Sequence, residues 1–218
     1  MTATVPTVPL RDQLAAVSGS GSLPPEGRDV MARTFAYIAA TAPGLPIGTR
    51  APGFTLPDHL GRSVSLAQRL ATGPVVLMFY RGAWCPYCNV ALRAMNAILE
   101  RLRQLDASLL AISPQAADHT LPLVEKHRLG FDVLSDERQR VIAAYRLGYQ
   151  TPPEQQKLVL AALNLDVGKE NADGTWKLPA TATYVLDQHG TIVAGRVTPN
   201  PRERMEPDDV ITALLQLR

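Results

Sequence analysis

Val75-Val76-Leu77-Met78-Phe79-Tyr80-Arg81-Gly82-Ala83-Trp84-Cys85-Pro86-Tyr87-Cys88 is the stretch that decides the fold. Residues 74–80 form a continuous apolar run of strand length, without the alternation of a half-exposed strand. Such runs suit a central strand buried on both faces. After the break at Arg81-Gly82-Ala83-Trp84, residues 89–104 carry helical spacing, with Leu92, Met95, Ile98, Leu99 and Leu102 on one stripe. Cys85 and Cys88 therefore fall at a strand-to-helix junction, in the first turn of the helix.

That position has chemical consequences. The reactive form of a cysteine is the thiolate, and a helix N-terminus stabilises it with unpaired N–H groups and the positive end of the macrodipole. C-x-x-C sites of this kind lower a thiol from about 8.5 to roughly 3.5–7.5. Pro86 costs little there, because first-turn N–H groups have no helical partner. Cβ atoms at i and i+3 of a regular helix lie about 5–6 Å apart, whereas a disulfide needs roughly 3.8 Å. Setting Cys85 just outside the helix and Cys88 just inside relaxes the mismatch and makes the bond reversible. Trp84 and Tyr87 are candidates to cover the sulfurs, and Arg81 is a candidate thiolate partner or else a solvated edge residue. Tyr80 is a further candidate to line the site, or ordinary strand packing.

The whole chain bounds this reading. It has 218 residues, 46% of them hydrophobic and 19% charged, with a formal net charge of +2. That composition belongs to a globular protein with a real core. The scattered arginines name neither nucleic acid nor membrane as partner. No apolar run reaches membrane-span length, and residues 1–9 lack a cationic start and are followed by Arg11 and Asp12, so no signal peptide is expected. A cytoplasmic location follows, where a disulfide is more often catalytic than structural. There are two cysteines, too close to make an effective staple and too few for a structural zinc site. His59, His119, His127 and His189 show no ligand-pair spacing. No metal or cofactor is expected.

Organisation outward from the motif is α/β. Residues 1–46 read as a helical N-terminal extension, with helices over 11–17 and 28–40 separated by a breaker at 18–25. Residues 47–218 form the main domain. A hairpin is expected over 51–56 and 61–66, and strands over 108–112 and 131–134. Helices are expected over 116–128 and 136–146, the second capped by Ser135. Thr151-Pro152-Pro153-Glu154 reads as a capping box opening a helix to about Leu163, followed by a polar loop over 168–174. A second hairpin crosses Asp187-Gln188-His189-Gly190, and a last helix starts at Glu206.

The motif resembles the peroxiredoxin-like branch of the thioredoxin superfamily, the alkyl hydroperoxide reductase/thiol-specific antioxidant group. The likeness extends over Gly48-Thr49-Arg50-Ala51-Pro52-Gly53-Phe54, Ala111-Ile112-Ser113-Pro114, Val133-Leu134-Ser135-Asp136 and Tyr184-Val185-Leu186-Asp187. It implies a thioredoxin fold, a central mixed sheet flanked by helices. It further implies a thiol peroxidase reducing hydroperoxides, regenerated by thioredoxin or a similar dithiol. A homodimer is expected only from how commonly soluble proteins pair. Two registers are open. In the peroxidase register Cys88 attacks, and the positions that hold Pro and Thr in that family hold Arg81 and Cys85. Thr181 stands about where the family places an arginine before a late strand. In the thioredoxin register Cys85 attacks a disulfide and Cys88 resolves, with Thr181 or, after a slip, Pro179 at the site of the facing proline. A redox-sensing or metal-binding adaptor is the third reading.

Overall fold

The computed structural model describes residues 8–17 and 25–218. The sequence-predicted breaker therefore lies, up to Pro24, outside the described residues. In chain order the elements are α1 (Leu10–Ala15), α2 (Pro25–Thr41), β1 (Thr55–Pro57), β2 (Ser63–Ser65), α3 (Leu66–Leu70) and β3 (Val75–Phe79). There follow α4 (Pro86–Ala97), α5 (Leu99–Gln104), β4 (Ser108–Ser113), α6 (Ala117–His127), β5 (Asp132–Ser135) and α7 (Arg140–Ala144). The chain ends with β6 (Gly148–Gln150), α8 (Pro153–Leu163), α9 (Val167–Glu170), β7 (Lys177–Pro179), β8 (Thr181–Leu186), β9 (Ile192–Thr198) and α10 (Pro207–Leu215).

The central sheet runs β5-β4-β3-β8-β9. β3 pairs in parallel with β4 and antiparallel with β8, and β9 closes the sheet as the second arm of the expected hairpin. Strand β3 thus lies in the middle, and every one of its residues is buried. Its side chains alternate between two apolar layers, as the pleat requires. Val75, Leu77 and Phe79 join Ile38, Leu66, Leu110, Ile112 and Tyr184 on one face. Val76, Met78 and, just past the strand end, Tyr80 join Leu10, Leu14, Leu92, Met95, Val210 and both cysteines on the other. The N-terminal helices feed both layers: α1 delivers Leu10 and Leu14, and α2 delivers Ile38.

Several local expectations are corrected. The helix predicted over 89–104 starts earlier, at Pro86, and divides at Ile98, whose N–H bonds to the Met95 carbonyl three residues back at 3.2 Å. The helix predicted over 136–146 shrinks to α7, because Asp136 rather than Ser135 takes its first N–H groups, those of Arg140 (3.0 Å) and Ile142 (2.8 Å). The capping box fails as well. Pro152 is the N-cap of α8, and the Thr151 hydroxyl is buried without a partner among the described residues. The polar loop contains α9, capped by the Asp166 carboxylate on the Gly168 N–H at 3.1 Å. The strands β6 and β7 form a separate small ribbon that the apolar pattern did not announce.

Candidate active site

Chain direction places the site. Strand β3 ends at Phe79, residues 80–85 turn, and α4 begins at Pro86 with Cys85 as its N-cap. The turn is tight: the Cys85 N–H donates to the Gly82 carbonyl at 3.1 Å. A side chain at Gly82 would collide with the Trp84 ring, 2.4 Å from Nε1, so glycine is required there. Cys85 occupies the position at which Ser or Thr caps most helices, and its Sγ accepts from the Cys88 N–H at 3.4 Å. Both thiols are free, with exposures of 0% for Cys85 and 1% for Cys88.

Arg81 leans over this pair. Its Nη2 donates to Cys85 Sγ at 3.1 Å and its guanidinium carbon sits 5.5 Å from the Trp84 ring centroid, a cation–π distance. Tyr149 of β6 faces the same guanidinium, and burial pushes its phenol up to about 12 against the pull of Arg81. Tyr80 is buried, which drives its phenol up. Tyr87 is buried in the first turn of α4, and its hydroxyl accepts from Arg202 Nε at 3.3 Å. Thr181 opens β8, one residue beyond the Ala182–Phe79 pair. Its hydroxyl donates to the Thr198 carbonyl at 3.2 Å. Pro179 lies in β7 opposite Gly148, outside the central sheet, and every peptide bond among the described residues is trans.

A second arginine completes the site, and local sequence reasoning missed it. Arg204, from the loop between β9 and α10, donates through Nη1 to the carbonyls of Asn200 (3.1 Å) and Glu203 (2.7 Å). Its charge acts on both thiols. Burial works to raise Cys88. The Cys85 S–H donating to it, the Arg81 and Arg204 charges and the Arg81 backbone N–H outweigh that and hold it well below the usual thiol value. Burial and its role as donor to Cys88 hold Cys85 well above that value, despite Arg81. Arg81 Nε, Trp84 Nε1 and Arg204 Nη2 remain as buried N–H groups without hydrogen-bond partners among the described residues. Nothing in the sequence near residue 204 marks it, beyond its being an arginine shortly before a helix.

Among the described residues no group of three or more His, Cys, Asp or Glu stands close enough to hold a metal ion, and no helix is long and apolar enough to cross a membrane.

Residues 47–194 match the model of the AhpC/TSA family. The chain belongs to the AhpC/TSA family. Among curated relatives, a chloroplastic peroxiredoxin Q of Oryza sativa is 31% identical over 145 residues, which is 66% of this chain and 56% of the relative. The chain thus spans little more than half the length of that relative. A chloroplastic peroxiredoxin Q of Gentiana triflora is 28% identical over 192 residues, 85% of this chain and 75% of the relative. The crystal structure of peroxidoxin BcpB from Mycobacterium tuberculosis superposes with a TM-score of 0.63 at 21% identity, covering 80% of this chain and 99% of that one. Xanthomonas campestris peroxiredoxin Q gives 0.59 at 17% identity, covering 82% and 93%. At these identities the structural likeness establishes the thioredoxin fold that this AhpC/TSA chain shares with them.

Proposed function

We propose that this AhpC/TSA chain is a thiol peroxidase in which Cys88 attacks. The observation that carries the reading is the pair of free, buried thiols at the start of α4, with the Arg81 guanidinium donating to Cys85 Sγ at 3.1 Å and the neighbouring charges of Arg81 and Arg204 pulling Cys88 down. The Cys88 thiolate attacks the terminal oxygen of a hydroperoxide: an S–O bond forms, the O–O bond breaks, and the departing alkoxide takes up a proton as an alcohol. Cys88 is left as a sulfenic acid. Cys85 then displaces its hydroxyl, which leaves with the Cys85 proton as water, and an S–S bond joins the two residues. A thioredoxin-like dithiol returns two electrons and two protons and restores the pair. The open N–H groups of Arg81, Trp84 and Arg204 suit an oxygen-bearing substrate.

The alternative, Cys85 attacking a disulfide, draws on its N-cap position and its bonds from Arg81 and Cys88. Access argues against it. Sulfurs this covered admit a small hydroperoxide more readily than a protein disulfide. For the same reason, a protein reductant reaches the oxidised pair only after the 82–88 turn or the 199–206 loop moves. The cycle needs a reducing compartment, and the cytoplasmic location and the homodimer are parts of the proposal. Sedimentation of the reduced protein tests the latter.

Stopped-flow mixing of the reduced protein with hydrogen peroxide tests the mechanism. Cys88→Ser loses the fast reaction, whereas Cys85→Ser keeps it and accumulates the sulfenic acid. Fast peroxide consumption by Cys88→Ser, or its loss in Cys85→Ser alone, refutes the assignment.

A further inference from the structure

Ala83, two residues before the first thiol, is held through both its N–H and its carbonyl. The Ala83 N–H donates to Gln115 Oε1 at 2.5 Å, and the Ala83 carbonyl accepts from Asn89 Nδ2 at 2.9 Å. Gln115, 1% exposed, follows β4, and its Nε2 donates to Glu170 Oε2 of α9 at 3.0 Å. The loop that carries Gln115 is tied to the same region by the Ala172 N–H on the Pro114 carbonyl at 3.1 Å. A line of hydrogen bonds therefore runs from a half-buried carboxylate, through one buried amide, to the turn that sets Arg81 and Cys85. The amide is oriented by its neighbours: an acceptor toward Ala83 and a donor toward Glu170 satisfy both ends, and the flipped rotamer satisfies neither.

We propose that Gln115 is a positioning residue for the Cys85/Cys88 pair, and that Glu170 acts through it by fixing the amide. The inference deepens the peroxidase reading, but the element it rests on is the thiol turn rather than the peroxide. A buried acceptor removed from Ala83 leaves its N–H unpaired. The turn relaxes, and the Arg81 guanidinium moves off Cys85.

The chemistry of the line supplies a swap test. In Gln115→Glu the new carboxylate still accepts from Ala83 but faces Glu170 with like charge. In the double variant Gln115→Glu/Glu170→Gln the amide and carboxylate exchange places, so both hydrogen bonds are restored. The readout is thiolate absorbance at 240 nm as a function of pH, with the thermal midpoint measured alongside. Neither depends on which oxidant the protein uses, so failure here is distinguishable from failure of the peroxidase reading. Gln115→Leu and Gln115→Glu are expected to shift the titration of the pair toward that of an ordinary thiol, with at least a threefold smaller thiolate fraction at pH 6. The double variant is expected to recover most of that loss relative to Gln115→Glu. A wild-type titration in folded Gln115→Leu overturns the proposal. If that variant does not fold, a double variant that titrates no closer to wild type than Gln115→Glu overturns it instead.

Discussion

Replacing Arg204 with Gln tests whether the second guanidinium sets the reactivity of Cys88. The glutamine keeps a donor near the Asn200 and Glu203 carbonyls, which hold Arg204 at 3.1 and 2.7 Å, while removing the charge. An opposite charge within about 4–6 Å favours the ionised form of a group by roughly 10- to 1000-fold. One fact selects the low end: Arg81 remains, with its direct 3.1 Å bond to Cys85. The expected loss is about tenfold in thiolate population below the titration midpoint, about 1.4 kcal/mol. The assay is the pH dependence of the second-order rate with iodoacetamide and with hydrogen peroxide. Both rate profiles are expected to move to higher pH together, with their high-pH plateaus for iodoacetamide unchanged. A peroxide plateau that also falls adds a contact of Arg204 with the substrate. Unshifted profiles in a folded variant refute the electrostatic role of Arg204.

Three further outcomes follow from the geometry. Gly82→Ala places a methyl group 2.4 Å from Trp84 Nε1 and 3.0 Å from Gln115 Cδ, at a φ of +152°. The turn must shift, and a loss of about 1–3 kcal/mol in urea unfolding is expected, together with a slower Cys85–Cys88 closure. Glu206 accepts from the Leu10 and Arg11 N–H groups at 2.8 Å each, capping α1 from 195 or more residues away. Glu206→Ala is expected to cost about 1 kcal/mol, read as a fall of about 2–4 °C in the thermal midpoint and earlier proteolysis near residue 10. The reduced protein also has a signed pH dependence. Cys88, lowered in the fold, contributes stability that is present above the ordinary thiol value and lost as pH falls through its lowered one. Denaturant titrations of wild type and Cys88→Ser are expected to converge at low pH and diverge as pH rises toward the ordinary thiol value, above which the raised Cys85 costs stability in turn, and parallel curves contradict the lowered value of Cys88.

Legibility in the sequence was uneven for physical reasons. The β3 run was readable because a strand covered on both faces leaves no solvent side to interrupt its apolar residues. The hairpin at Asp187 was readable because its turn is closed locally: the carboxylate accepts from the His189 and Thr191 N–H groups at 2.9 and 2.8 Å. Ser135 and Thr151 misled because capping residues compete. Which neighbour takes the free N–H groups depends on where the preceding strand points them. The ribbon of β6 and β7 escaped because three-residue strands carry too little pattern to register.

At the site the division is sharper. The sequence by itself determined that two thiols stand at the end of a buried strand, in the first turn of a helix, with an arginine four residues before the first. Strand, turn and helix are consecutive, so their geometry is local and the spacing fixes it. Which distant groups surround the two thiols became legible only in the folded chain. Arg204 comes from beyond β9, Tyr149 from β6, Gln115 from the end of β4 and Glu170 from α9. Charge and hydrogen bonding act through space, and no periodicity along the chain records which distant residue the fold brings to Cys88.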